Sequence, residues 1–181
     1  MIHGRVSKSP PIRMLRPQEA NQMLNSWHYL GEVRGVIVAL GHSEGCCVFT
    51  NPRSRLLDSH FAASQVIELA RMVGMPNHQW AMTSLMAQSL QYIKRMGYTT
   101  VITYADPWNS NTGMVYRAGN WQPDGTTQSD TVYLLDGKRI SRRTFYDRHG
   151  TQSRTAMKAI YGDRLQFEVA PPKQRFVMHL K

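Results

Sequence analysis

The sequence predicts an α/β fold, a mixed sheet flanked by helices. Three observations carry this. Strand-like runs alternate with segments of helical period. Two of those runs flank "GHSEG" as a hairpin. The clearest helix lies between two further strand-like runs, as in a parallel strand–helix–strand unit.

Each element follows from local chemistry. Pro17 to Ser26 reads as a short helix with proline in its first turn. "WHYLG" follows it. Arg34 to Leu40 and "CCVFT" read as the hairpin strands. Val66 to Met72 is a third strand, broken by "VGMPN". From Trp80 to Met96, apolar residues at Met82, Leu85, Met86, Leu90, Ile93 and Met96 mark one helix face. Asn77 is its expected cap and Gly97 its expected stop. "YTTVITYA" is the next strand, and "NTGMVYRAG" a short helix. "TVYLLDG" is a strand, and "TQSRTAMKAIYGD" a helix capped near Thr151. Pro171 and Pro172 divide two last strands. No internal repeat or linker is visible. The reading is one domain, residues 1–181, with a basic C-terminal elaboration over about 130–181.

This order places the strands of Glu68 and Tyr104 side by side and parallel. Asp106 then lies just past its strand, at the carboxyl edge where open α/β sheets bind ligands. Glu68 and Arg71 are three apart on one strand, which in a regular strand puts them on opposite faces.

The 181 residues carry a formal charge of +10. Between Lys138 and Arg164 stand eight basic and two acidic residues, giving +6 of that total. Tyr and Phe interleave them, a pattern suited to a polyanion such as nucleic acid. The alternative is a solvated basic face. No apolar run approaches a membrane span, and the basic start lacks the apolar stretch of a secretory leader. Cys46 and Cys47 are adjacent, suiting neither a disulfide framework nor a zinc site. They read as two small hydrophobes in a strand. A cytoplasmic protein is expected.

The run "RMGYTTVITYADPWNSNTGMVYRAGNW" resembles the second half of the GNAT acyltransferase fold. "WHYLG", "IELARM", "TYADP", "VYRAGNW", "DGKRISRR" and "YGDR" together resemble the phage Mom family, a divergent branch of that superfamily. The resemblance implies a GNAT-like fold. It also implies transfer of a carbamoylmethyl group to N6 of adenine in phage DNA, which protects that DNA from host restriction in the host cytoplasm. Functional residues matching that family are His28, Tyr29, Asp106 and Tyr116. In the superfamily, the tyrosine at the position of Tyr116 often serves as general acid.

The superfamily holds the acyl-CoA pyrophosphate on a glycine-rich loop. The equivalent "VGMPNHQWAMTS" has one glycine, followed by Met75 and Pro76, and offers few free N–H groups. Acetyl-CoA and an aminoacyl-tRNA such as glycyl-tRNA are therefore both candidate donors, the second making tRNA a further partner beside double-stranded DNA.

Asp106 is the leading candidate, orienting or deprotonating the adenine amino group, whose lone pair is delocalised. Tyr116 is the candidate to donate a proton to the leaving group or to hydrogen-bond the substrate. His28, Tyr29 and Asp106 offer N and O atoms that could hold iron. Glu68, Arg71, Ser84 and Trp108 are candidate substrate or donor contacts. Tyr29, Trp108 and Trp121 could stack an extruded base. Lys138, Arg139, Arg142, Arg143, Arg148 and Arg154 would hold phosphates. Two other readings remain: a GNAT N-acyltransferase for a protein or small-molecule amine, and a DNA-binding protein without catalysis.

Overall fold

The computed structural model describes residues 7–52 and 65–181. Part of the basic start, residues 1–6, lies outside them. The strands are β1 (Arg13–Leu15), β2 (Val36–His42), β3 (Gly45–Thr50), β4 (Val66–Gly74), β5 (Thr100–Ala105), β6 (Gln122–Thr126), β7 (Asp130–Leu135), β8 (Lys138–Ile140), β9 (Leu165–Ala170) and β10 (Gln174–His179). The helices are α1 (Pro17–Trp27), α2 (Met82–Arg95), α3 (Met114–Ala118), α4 (Arg142–His149) and α5 (Arg154–Tyr161). The chain forms two compact units: Met1–Gly125 with Gln174–Lys181, and Thr126–Lys173.

The larger unit holds a seven-stranded sheet in the order β1-β2-β3-β4-β5-β10-β6. β4 and β5 are parallel, as the strand–helix–strand pattern predicts. β2 and β3 form the expected hairpin, with His42 opposite Gly45. The last strand, β10, lies antiparallel to β5. Apolar faces explain the layers. Leu85, Met86 and Ile93 of α2 pack with Phe49, Ile67, Leu69 and Val101 on one side of the sheet. Ala20, Met23 and Leu24 of α1 pack with Ala39, Val48 and Val73 on the other. Cys46 and Cys47 are buried on opposite sides, and burial pushes both thiols up to about 12. They are packing residues, as the sequence suggests.

Two local expectations are corrected. Asn77 does not cap α2. It turns with a φ of 64°, and the helix begins after Ala81. The cause is Trp80, buried between the rings of His42 and His78, which fixes the chain before the helix starts. Ser153 rather than Thr151 caps α5, its Oγ accepting from the Ala156 N–H, while Thr151 accepts from the Ser153 N–H. Gly97 does end α2, at a φ of 93° that favours glycine.

A further correction lies in β4. Val48 faces Arg71 and Phe49 faces Leu69, so Ala70 is an extra residue, a β-bulge. The bulge resets the alternation. Leu69 and Met72, three apart, both join the α2 side, and Ala70 and Val73, also three apart, both join the α1 side. Glu68 and Arg71 therefore share the α1 side rather than opposite faces.

The smaller unit is a three-stranded antiparallel sheet, β8-β7-β9, with α4 and α5. Tyr133, Phe145, Met157 and Leu165 form its own core. Its entry and exit are tied: the Thr127 N–H donates to the Lys173 carbonyl at 2.9 Å, and the Lys173 N–H donates to Thr127 Oγ1 at 2.9 Å.

Candidate active site

The ladder between β4 and β5 has three rungs and ends at Glu68–Ile102. Both strands continue, β4 to Gly74 and β5 to Ala105. The parallel pair therefore splits, and the residues beyond the last rung line the split.

Asp106 leaves β5 at this point and is only 3% exposed. Pro107 starts a 3-10 turn directly after it. The Asp106 carbonyl accepts from the Asn111 N–H at 3.3 Å. The Asn111 carboxamide oxygen then accepts from the Gly113 N–H at 3.2 Å, which starts α3. Gly113 has a φ of 78°, and a Cβ there would stand 2.5 Å from the Phe176 ring. Only glycine lets α3 approach β10 so closely. Tyr116, on α3, is consequently buried against Trp121 and Phe176.

Tyr116 and Thr103 meet through their hydroxyls at 3.3 Å, and Thr103 Oγ1 also lies 2.9 Å from the Leu69 carbonyl. Burial pushes the Tyr116 phenol above its ordinary range; hydrogen bonding with Thr103 and Asn111, and the charge of Arg71, oppose that rise. At neutral pH Tyr116 is a neutral phenol, a proton donor and not a base.

On the α1 side, His28 ends α1. The Leu30 N–H donates to its Nδ1 at 3.1 Å, so the ring proton sits on Nε2. Burial, then the positive charge of Arg71, brings this imidazole down to about 4. His28 is neutral under physiological conditions. Tyr29 stacks on it with ring centroids 4.6 Å apart and is 49% exposed. Arg71 is thus felt by both His28 and Tyr116. Glu68 is buried, and its charge adds to the burial that raises the Tyr104 phenol; Arg175 opposes this. Arg175 is itself braced by Asp124, at 2.9 Å.

The structure thus links His28, Tyr29, Arg71 and Tyr116, and connects Asp106 to Tyr116 through Asn111. Sequence reasoning missed Asn111 and Thr103. Asn111 carries a weak signal, since an asparagine two residues before a glycine favours an Asx turn.

Other candidates take different positions. Ser84 Oγ accepts from the Ser9 N–H at 3.1 Å, tying the N-terminal segment to α2. Trp108 is half-buried in the 3-10 turn. Trp121 is buried in the core and offers no stacking surface. Among the described residues, no three His, Cys, Asp or Glu side chains group to hold a metal, so His28 and Asp106 do not form an iron site with a third such ligand.

In the smaller unit, many basic side chains are already paired. Arg142 meets Asp130 at 2.7 Å, Arg143 meets Asp147 at 2.8 Å, and Arg164 meets Asp136 at 2.6 Å. Lys158 meets Asp163 at 3.2 Å. Arg154 donates to the Thr131 hydroxyl. Lys138, Arg139 and Arg148 are all exposed. Among the described residues, Lys138 and Arg148 form no ion pair.

A parallel strand pair that splits beside a buried tyrosine, with a long helix between its strands, defines an acetyltransferase-type fold. Solved structures agree. An N-acetyltransferase from Staphylococcus aureus is 13% identical with a TM-score of 0.53, covering 94% of this chain and 98% of that one. An acetyltransferase from Bacillus subtilis, solved in complex with CoA, is 13% identical with a TM-score of 0.51, covering 94% and 99%. An IAA acetyltransferase from Bacillus cereus is 11% identical with a TM-score of 0.51, covering 93% and 98%. The profile of the Mom protein family matches residues 11–181, and the chain belongs to that family. No curated protein matches the chain. Among the described residues, no helix is long and apolar enough to cross a membrane.

In this fold a CoA diphosphate would sit against the loop before α2. Such a cradle needs backbone N–H groups pointing outward. Here the Met75 N–H donates to the Glu44 carbonyl at 2.7 Å, and the His78 N–H to the Met75 carbonyl at 3.2 Å. The Ala81 N–H donates to the Ser7 carbonyl at 2.9 Å, and Pro76 has none to give. A Cβ on Gly74 would stand 2.6 Å from the His78 ring. These three donors are spent, which leaves the loop fewer outward N–H groups for a diphosphate.

Proposed function

We propose that this chain is a DNA-modifying transferase that adds a carbamoylmethyl-type group to N6 of adenine, protecting phage DNA from restriction. The observation that carries the reading is Asp106, buried where the β4–β5 split ends, with its backbone carbonyl held by Asn111, whose side chain bonds the protonated Tyr116. The family membership over residues 11–181 supports the target.

The chemistry follows from the groups. The adenine amino nitrogen is a poor nucleophile because its lone pair is delocalised into the ring. Asp106 accepts one of its N–H protons and restores nucleophilicity. The exposed Tyr29 ring, seated on His28, offers a stacking surface to an extruded base. The Nε2–H of neutral His28 is a hydrogen-bond donor toward that base. Tyr116 gives a proton to the departing group. Lys138, Arg139, Arg142, Arg143, Arg148 and Arg154 carry the phosphate contacts of double-stranded DNA.

The donor is an activated ester. An aminoacyl ester of tRNA, such as glycyl-tRNA, needs no diphosphate cradle, and the spent N–H groups before α2 favour it. A CoA thioester, the cofactor type of the Bacillus subtilis neighbour, is the competing donor.

The test is nucleoside mass spectrometry on plasmid DNA from bacteria expressing this chain, beside Asp106→Ala. A modified deoxyadenosine absent from the variant supports the reading. Unmodified DNA from folded protein overturns it and points to an acyltransferase for another amine.

A further inference from the structure

Thr103 stands one residue beyond the last rung of the β4–β5 ladder and is 1% exposed. Its hydroxyl spans the split, 2.9 Å from the Leu69 carbonyl of β4 and 3.3 Å from the Tyr116 hydroxyl. A hydroxyl has one proton and two lone pairs. The shorter contact takes the Thr103 proton, so the Tyr116 O–H donates to Thr103 Oγ1. Asn111 also hydrogen-bonds Tyr116 through its side chain. Its Oδ1 is committed to the Gly113 N–H at 3.2 Å, so its NH2 group is what remains to donate to the Tyr116 oxygen.

This arrangement is reversible at one bond. If Tyr116 loses its proton, the Thr103 O–H can rotate from the Leu69 carbonyl to the phenolate. The phenolate then has two donors, Thr103 and Asn111, in a site where burial otherwise disfavours charge.

We propose that Thr103 and Asn111 are positioning residues that aim the Tyr116 hydroxyl at the split and stabilise the phenolate left when it gives up its proton. This rests on the transferase reading above. In the step concerned, adenine N6 forms a bond to the carbonyl carbon of an activated ester. The bond from that carbon to the leaving oxygen breaks, and the leaving oxygen takes the Tyr116 proton. With a glycyl ester the first product is the N6-aminoacetyl amide, which has the same atoms as the N6-carbamoylmethyl group and rearranges to it afterwards. The N6 proton goes to Asp106, and water returns a proton from there to the phenolate.

The test uses the full chain. Thr103→Val is expected to lower deoxyadenosine modification roughly ten- to a hundredfold, the worth of a hydrogen bond to a charged group. Thr103→Ser restores it. In a Tyr116→Phe background, Thr103→Val adds nothing, because the two act as one unit. A second readout needs no turnover: the 13Cζ resonance of Tyr116, assigned by its loss in Tyr116→Phe. Its titration midpoint moves up in Thr103→Val and in Asn111→Asp, where a donor becomes an acceptor. Asn111→Asp keeps the oxygen that bonds Gly113, and so serves if Thr103→Val fails to fold. An equal loss of modification with and without Tyr116, or an unmoved midpoint, overturns the proposal. If wild-type DNA is unmodified while the midpoint still moves, the transferase reading fails and the positioning of Tyr116 stands.

Discussion

The two units handle polar groups in opposite ways. The larger unit buries them: Glu68, Thr103, Asp106 and Tyr116 all lie below the surface at or near one split in the sheet. The smaller unit keeps them outside, where Arg142, Arg143, Lys158 and Arg164 sit in exposed ion pairs over a small apolar core. Buried polar groups cost free energy unless they are held by partners, so a cluster of them points to chemistry. Exposed ion pairs contribute little to stability, and they can exchange a carboxylate for a phosphate. On the proposed function, the larger unit carries the reaction and the smaller one the contact with a polyanion.

The comparison can be broken most sharply at Asp106. Asp106→Asn keeps the shape and removes the base, and modification is expected to fall about 10²–10⁴-fold with the melting temperature little changed. A fully active Asp106→Asn enzyme would remove the larger unit's claim to the chemistry. Next is the small core. Phe145→Ala is expected to destabilise the smaller unit by about 3–5 kcal/mol. Hydrogen exchange should then rise in β7, α4 and β9 while β3 and β4 stay protected. Uniform loss of protection would show one cooperative unit instead of two.

A third effect is pH dependence. His28 titrates near 4 in the folded chain against an ordinary 6.5. Between these values the unfolded chain binds the extra proton. Stability from this group is therefore complete above about 6.5 and falls as pH drops toward 4. Urea midpoints at pH 7 and pH 5 should differ more for the wild type than for His28→Gln. The smallest effect sharpens the basic surface. Lys138→Ala with Arg148→Ala should lower the salt slope of duplex binding by about two. Arg142→Ala with Arg143→Ala should lower it less, because Asp130 and Asp147 already neutralise those charges. Anisotropy titrations at several salt concentrations would show the order.

Much of the larger unit was legible because its signals are local. The spacing of Leu85, Met86 and Ile93 marks α2, and the hairpin and the exit of Asp106 follow from strand runs and their ends. What escaped is non-local or weakly coded. β6 reads "QPDGT", where proline, aspartate and glycine all disfavour a strand; pairing with β10 overrides them. α4 is mostly charged and polar, and its one buried residue, Phe145, gives no period to detect. The bulge at Ala70 is set by pairing with β3, so nothing in β4 alone reveals that Arg71 turns to the side of Glu68. The site shows the same pattern. Residue types at the sheet edge were readable, whereas Thr103 and Asn111 gain meaning only once Tyr116 lies against them.

The most direct test of the division of labour is the duplex-DNA affinity of Asp106→Asn across a salt series. Wild-type affinity and slope are expected in a protein that no longer modifies DNA. Loss of binding together with loss of modification, in a folded variant, would contradict it.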